Sequence, residues 1–303
     1  MSDVLTGVFN ITPTPFHPDG SLDLDSLARL TAFTRGTGVQ GMTILGVLGE
    51  ADKLTERERD IVIEATIAAA GGLPICVGTT HAGTDGCIAW SRRAQALGAT
   101  AVMVAPPKLA RSNDAALHRH YVAVAEAIDI PVVVQDFPPA VGGILMSPEL
   151  IGGLAAASPR LRALKLEDDP SPMKVSQVLA VNPEVRIMGG LGGMMFLEEL
   201  RHGAVGTMTG FAFPRSWWRS IAPGRRGARS RHGHLLQYCP LIRFENQPRI
   251  NLAIRKHVYH RRGVIASPRA RAPFAAVDDG TLDDLDDLLH RLGLSGQGPV
   301  AIA

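Results

Sequence analysis

The sequence predicts an α/β protein, a (β/α)8 TIM barrel with a C-terminal helical extension, on three observations. Eight short apolar runs rich in β-forming residues recur along the first two-thirds of the chain. Their starts lie roughly 20–34 residues apart, which leaves room for one loop and one helix between each pair. The runs are continuously apolar rather than alternating, as strands covered on both faces are. Eight such units in 303 residues favour a closed barrel over a doubly wound sheet.

The elements follow in order. The first run is 7–12 (GVFNIT), and Asp23 then precedes the apolar series Leu24, Leu27, Leu30 and Phe33, closed by Gly36 and Gly38. The second run is 41–45 (GMTIL); beyond it Thr55 and Glu58 have the spacing of a capping box. Runs 74–79 (PICVGT) and 101–105 (AVMVA) come next, and Asn113 opens a helix through Tyr121 and Val124. After 131–134 (PVVV), Ser147-Pro148 supplies an N-cap with proline at the first helical position. Runs 161–166 (LRALKL), 185–188 (VRIM) and 204–208 (AVGTM) complete the set. Residues 1–213 are thus expected to form the barrel, and residues 214–303 a helical extension packed on it. In that extension the acidic run 278–287, interleaved with leucines, reads as a solvated helix face.

Composition excludes several classes. The chain is 46% hydrophobic and 20% charged, enough to bury a core and too apolar for disorder. No run reaches the ~20 apolar residues of a membrane helix, and the N-terminus lacks the pattern of a signal peptide. Cys76, Cys87 and Cys239 show no pairing pattern, which points to a reducing, cytoplasmic compartment.

In a barrel of this kind the reactive groups lie at the carboxyl ends of the strands. Lys165 stands out because a lysine within a buried strand is rare unless paired or working. It reads either as a partner of Glu167 or Asp168, or as a nucleophilic amine. Gly46-Val47-Leu48-Gly49-Glu50 after the second run is a turn whose backbone N–H groups can cradle a carboxylate. The glycines at 189–193, Gly190 among them, lack dinucleotide-loop spacing. His118 and His120 are spaced two apart on a predicted helix, which directs them to different faces, and no metal site is expected. His81 reads as a polar loop residue or a group that touches substrate.

Taken together, ITPTPF at 11–16, GVLGE at 46–50, VMVAPP at 102–107, VVVQDFPP at 132–139, ALKLED at 163–168 and GAVGTMTG at 203–210 carry a resemblance. The chain resembles the dihydrodipicolinate synthase/N-acetylneuraminate lyase family of class I aldolases over roughly residues 6–213, and the tail from Pro240 also fits. The resemblance implies a homo-oligomer, a dimer or more usually a tetramer, that binds pyruvate or another 2-keto acid without metal or bound cofactor. Lys165 aligns with the family's Schiff-base lysine. Its iminium would act as an electron sink for loss of a C3 proton or cleavage of a C3–C4 bond. Val47 and Leu48 would hold the substrate carboxylate by their N–H groups. Gly46, Gly49, Thr12, Lys108, Asp136, Gly190 and Thr209 would complete the substrate site, with Gln135 beside Lys165 in the catalytic set.

The departures from that family are equally specific. Its synthases and lyases usually place a tyrosine where this chain has Gln135, whose amide cannot titrate. A hydroxyl residue is replaced by Val47, a second tyrosine by Lys108, and the arginine for the aldehyde substrate's carboxylate by Ala140. Strict dihydrodipicolinate synthase activity is therefore not expected. Three readings stay open. A replacement base from Asp136, Glu167 or Lys108 could serve an aldolase or a 2-keto-3-deoxy-acid dehydratase. The barrel could instead be a catalytically impaired keto-acid-binding paralogue. Or the basic region could bind nucleic acid, although it holds no recognisable module and no nucleic-acid or membrane partner is expected.

The net charge of +2 hides an asymmetry: residues 215–271 hold 14 of the 31 Lys and Arg but one acid, Glu245. Much of this density lies in 215–234, where six arginines, two adjacent tryptophans, Pro223, Gly224 and Gly227 stand in place of the amphipathic helix expected there. A local reading-frame change in the coding DNA produces such a block between regular flanks. Resequencing is expected to reveal it, and a clean in-frame codon assignment would reject it.

Overall fold

The structure, a computed structural model, describes residues 5–107, 113–138, 144–213 and 235–294. Eight parallel strands close a barrel in sequence order. They are β1 (Gly7–Ile11), β2 (Gly41–Ile44), β3 (Ile75–Gly78), β4 (Ala101–Val104), β5 (Val132–Asp136), β6 (Ala163–Leu166), β7 (Arg186–Gly189) and β8 (Gly206–Thr209). Closure is made by β8 against β1, with Val8 opposite Thr207 and Asn10 opposite Thr209. Each expected run thus holds a strand, with ends that differ by one or two residues; β5, β7 and β8 run past the expected ends.

Helices α1 (Leu24–Gly36), α2 (Glu56–Ala70), α3 (Thr84–Ala96), α4 (Asp114–Glu126), α5 (Pro148–Ala157), α6 (Ser171–Val181) and α7 (Phe196–Arg201) cover the outside. Their starts are set by the side chains that the sequence singled out. Asp23 accepts from the Ser26 N–H, Asn113 from Ala116 and Ser147 from Leu150. Thr55 and Glu58 form the reciprocal capping box, and α2 ends on left-handed Gly71. Each such cap is worth about 1 kcal/mol, so the helix boundaries are locally encoded.

Barrel closure sorts strand residues by parity. Phe9, Cys76, Ala101, Met103, Val133, Ala163, Met188 and Met208 fill the interior, while Met42, Ile44, Val77, Val102, Val104, Val132, Val134, Leu164 and Leu166 pack outward against helices. Both layers are buried, which is why the strands read as unbroken apolar runs.

The described part of the extension forms α8 (Cys239–Glu245), α9 (Asn251–Arg261) and α10 (Asp279–Arg291). Leu241, Ile242, Ile254, Val258, Tyr259, Leu285 and Leu289 join Val8, Leu30, Phe33 and Phe196 in one cluster, so these helices cover the β8–β1 side. The acidic run of α10 faces outward around buried Leu285 and Leu289, as expected. Several basic groups of the region are turned inward. Arg255, Lys256 and Arg262 are buried, and Arg271 pairs with Glu58 at 2.5 Å. The arginines of 215–234 lie outside the described residues. Among the described residues no helix is long and apolar enough to cross a membrane.

The Arg271 guanidinium holds the Glu58 carboxyl down at about 2, chiefly through its hydrogen bonds. A depressed carboxyl contributes stability that is complete above its unfolded value and is lost as pH falls through the folded one. The difference in unfolding free energy between wild type and Arg271→Ala is therefore expected to shrink as pH is lowered from about 5 towards 2. Urea titrations across that range would measure it, and a difference independent of pH would contradict the pairing.

Candidate active site

Parity decides what meets at the mouth of the barrel. Lys165 shares the inward phase of β6 with Ala163 and stands opposite Gln135 of β5 in register. Glu167, one residue past β6, falls in the same phase. Its Oε2 lies 2.8 Å from Lys165 Nζ and accepts a hydrogen bond of 2.8 Å from Gln135 Nε2. Its Oε1 accepts from the Leu191 N–H at 3.4 Å. All three side chains are buried. A carboxylate with three donors is held in one orientation, next to an amine that has little other surface to explore.

Room for Glu167 comes from Gly190, where an added Cβ would fall 2.1 Å from Glu167 Cγ. The turn Leu191–Gly193 that follows carries positive φ at Leu191 (50°) and Gly192 (65°). Thr209 secures it, donating to the Gly192 carbonyl at 3.0 Å while accepting from the Phe211 N–H. Thr209 and Gly190 thus shape the site through the turn.

On the opposite wall, Gly46 leads into the short turn Val47–Gly49, and no side chain caps its first N–H groups. Val47 is 60% exposed, so this turn opens to the mouth. The Gly49 carbonyl accepts from Thr14 Oγ1 at 2.7 Å, tying the turn to the segment after β1, and the Thr12 N–H donates to the Thr43 carbonyl of β2 at 2.9 Å. Leu48 packs towards the barrel interior.

Asp136 is placed elsewhere. One residue beyond Gln135, it takes the outward phase and pairs with Lys174 of α6 at 2.7 Å, as Asp168 also does. Burial pushes its carboxyl up, against the pull of Lys174. The structure therefore brings Glu167, rather than Asp136, to the Lys165 amine; Lys108 and Ala140 lie outside the described residues. His81 turns to its own loop, Nδ1 accepting from the Gly83 N–H at 3.0 Å, and stacks edge-on against Trp90. His118 is half-buried, and buried His120 meets the Thr84 hydroxyl at 3.0 Å.

A cavity of about 450 Å³ opens beside the 46–49 turn, bounded by Gly46, Val47, Thr80, Met103 and Gln135. It continues to Arg59, which the sequence reading did not single out. Arg59 donates to the carbonyls of Ala51 and Gly78 and lies 4.0 Å over the Trp90 ring. Burial lowers its pKa to about 10. The signal was present in the sequence: Arg59 occupies the buried stripe of α2 with Val62, Ile63 and Thr66. Glu167 had its own signal, two residues from Lys165 and so on the same face of the strand.

With this geometry established, comparison with known proteins identifies relatives. The family model described as the dihydrodipicolinate synthetase family matches residues 4–292. An L-2-keto-3-deoxyarabonate dehydratase of Azospirillum brasilense is 31% identical over 294 residues, 94% of each chain. A 4-hydroxy-tetrahydrodipicolinate synthase of Xanthomonas axonopodis pv. citri is 33% identical over 228 residues, 74% of each chain. The crystal structure of dihydrodipicolinate synthase from Rhodopseudomonas palustris superposes with a TM-score of 0.88 at 32% identity, covering 96% of this chain and 99% of that one.

Cys76 lies on the barrel floor below Lys165, and burial pushes its thiol up to about 12. It is an inert wall, and Cys87 is buried likewise. A thiol reagent is expected to reach only Cys239, slowly, in the native protein and all three cysteines after unfolding. Rapid native labelling of Cys76 would show the floor to be open.

Proposed function

Since the chain belongs to the dihydrodipicolinate synthetase family of lyases, we propose that it dehydrates a 2-keto-3-deoxy sugar acid through a Schiff base on Lys165, with Glu167 as the acid–base group. The observation that carries this reading is the shared contact of Glu167 Oε2, 2.8 Å from both Lys165 Nζ and Gln135 Nε2. It supplies a titratable group where the hydroxyl relay positions read Val47 and Gln135. Similarity to the Azospirillum dehydratase over nearly the whole of both chains supports elimination of water, and the replaced relay positions weigh against condensation with an aldehyde.

The residues then divide the work as follows. The N–H groups of Val47 and Leu48 receive the substrate carboxylate, which places the keto carbon C2 at the Lys165 amine. Attack and loss of one water give the iminium. The Glu167 carboxylate takes a proton from C3, and the C3–H electrons move into the iminium as an enamine. Glu167 returns that proton to the C4 hydroxyl, which departs as water while the enamine electrons form the C3–C4 double bond. Hydrolysis consumes one water and frees Lys165, so the net change is loss of one water. Gln135 does not titrate; its amide holds Glu167 Oε2 in place through these changes. The carboxylate also lies where positive charge persists on the iminium nitrogen, which stabilises it in a dry site.

Within the same reading the enzyme works in a reducing, cytoplasmic setting, supported by three unpaired cysteines, and assembles as the homo-oligomer that the family resemblance implies. Incubation with pyruvate and borohydride is expected to leave a reduced three-carbon adduct on Lys165, absent from Lys165→Ala. Glu167→Gln is expected to keep the adduct while losing roughly 10²–10⁴-fold in dehydration rate. No adduct across a panel of 2-keto acids would overturn the Schiff base. Adducts without turnover of any 2-keto-3-deoxy acid would favour a binding protein instead.

A further inference from the structure

Two adjacent residues of the extension, Arg255 and Lys256 of α9, are buried and reach opposite walls of the site. Lys256 Nζ donates to Glu50 Oε1 at 2.5 Å and to the Arg269 carbonyl at 2.7 Å. Glu50 closes the carboxylate turn: its N–H donates to the Val47 carbonyl, and its backbone is left-handed at φ 54°, ψ 34°. A residue other than glycine holds that conformation when its surroundings fix it. Here the side chain is fixed at both oxygens, Oε2 accepting from the Arg271 N–H at 2.8 Å and from Lys53 Nζ at 3.1 Å.

Arg255 leads to the other wall. Its guanidinium donates to Asn246 Oδ1 at 2.7 Å, and Asn246 Nδ2 in turn donates to the Leu191 carbonyl. Leu191 is the residue whose N–H meets Glu167 Oε1. The contact is close on the next residue also, since a Cβ on Gly192 would fall 2.7 Å from the Asn246 amide. Glu245 Oε2, 3.5 Å from Arg255 Nε, anchors the guanidinium from behind.

We propose that Arg255 and Lys256 are positioning residues that set the two halves of the active site separately. Lys256 acts through Glu50 on the turn that binds the substrate carboxylate. Arg255 acts through Asn246 and Leu191 on Glu167. The extension is thereby part of the catalytic apparatus. The proposal rests on the function proposed above, which assigns those two walls their tasks.

The separation predicts a split in kinetic constants. Lys256→Met is expected to raise KM by on the order of tenfold with kcat changed far less, and to shift the pyruvate dependence of borohydride trapping by the same factor. Lys256→Arg, which keeps a cation for Glu50, is expected to recover part of that loss. Asn246→Ala and Arg255→Met are expected to lower kcat by on the order of tenfold with little change in KM or trapping, and to move the pH profile of kcat. Loss of KM and kcat in equal proportion in both sets, or no loss in either, overturns the proposal. Should Lys256→Met fail to fold, the contrast between Lys256→Arg and Asn246→Ala decides by the same criterion. Wild-type protein that traps no 2-keto acid overturns the proposal together with the function beneath it; trapping by wild type with an unsplit response overturns the proposal alone.

Discussion

A closed parallel barrel leaves each strand residue two directions, into the barrel or out towards the helices, and the rest of this structure depends on that alternation. Lys165 and Gln135 are register partners in the inward phase, and Glu167 continues the phase past the strand end. Asp136 and Asp168 follow their neighbours by one residue and so meet Lys174 on the outside. Two sets of charges lie within a few residues of one another in sequence and are kept apart by the sheet. Shifting either strand by one residue would exchange them, and the apolar residues packed on both faces oppose such a shift.

The same burial explains how the charges are satisfied. A buried carboxylate or ammonium without a partner is costly enough to unfold a marginal protein, so each one here constrains its neighbours. Glu167 is held by three donors, Glu50 by Lys256, Lys53 and the Arg271 N–H. Two cations of the extension, Lys256 and Arg271, serve as internal counter-charge for Glu50 and Glu58 of the barrel. A third, Arg255, pairs inside the extension with Glu245 of α8. Glu245, buried with Arg255, is pushed by that burial to about 7, and Glu199, bonded to the Ser171 hydroxyl behind β7, to about 7 as well.

Such packing places the chemistry on rigid elements. The groups around Lys165 come from strand ends and short turns, and each turn is tied down by a residue far away in sequence. The turn at 46–50 is held by Lys256 and Arg271, that at 190–193 by Thr209 and Asn246. In the proposed mechanism, preorganisation of this kind would let one carboxylate serve both proton transfers, because it need not move between C3 and its neighbour C4.

Local patterns determined the strands, the helix starts at Asp23, Thr55, Asn113 and Ser147, and the prominence of Lys165. Caps and apolar runs act over a few residues and are therefore written into the sequence directly. Which of Asp136 and Glu167 meets Lys165 was not settled by listing acids near strand ends. It needed the parity of β5 and β6 and the space left by Gly190, which sequence implies only once the strand limits are known. The pairing of Lys256 with Glu50, 206 residues away, carried no local signal at all. Long-range partners are chosen by the packing of α9 against the barrel, and only the tertiary structure decides which buried charges meet.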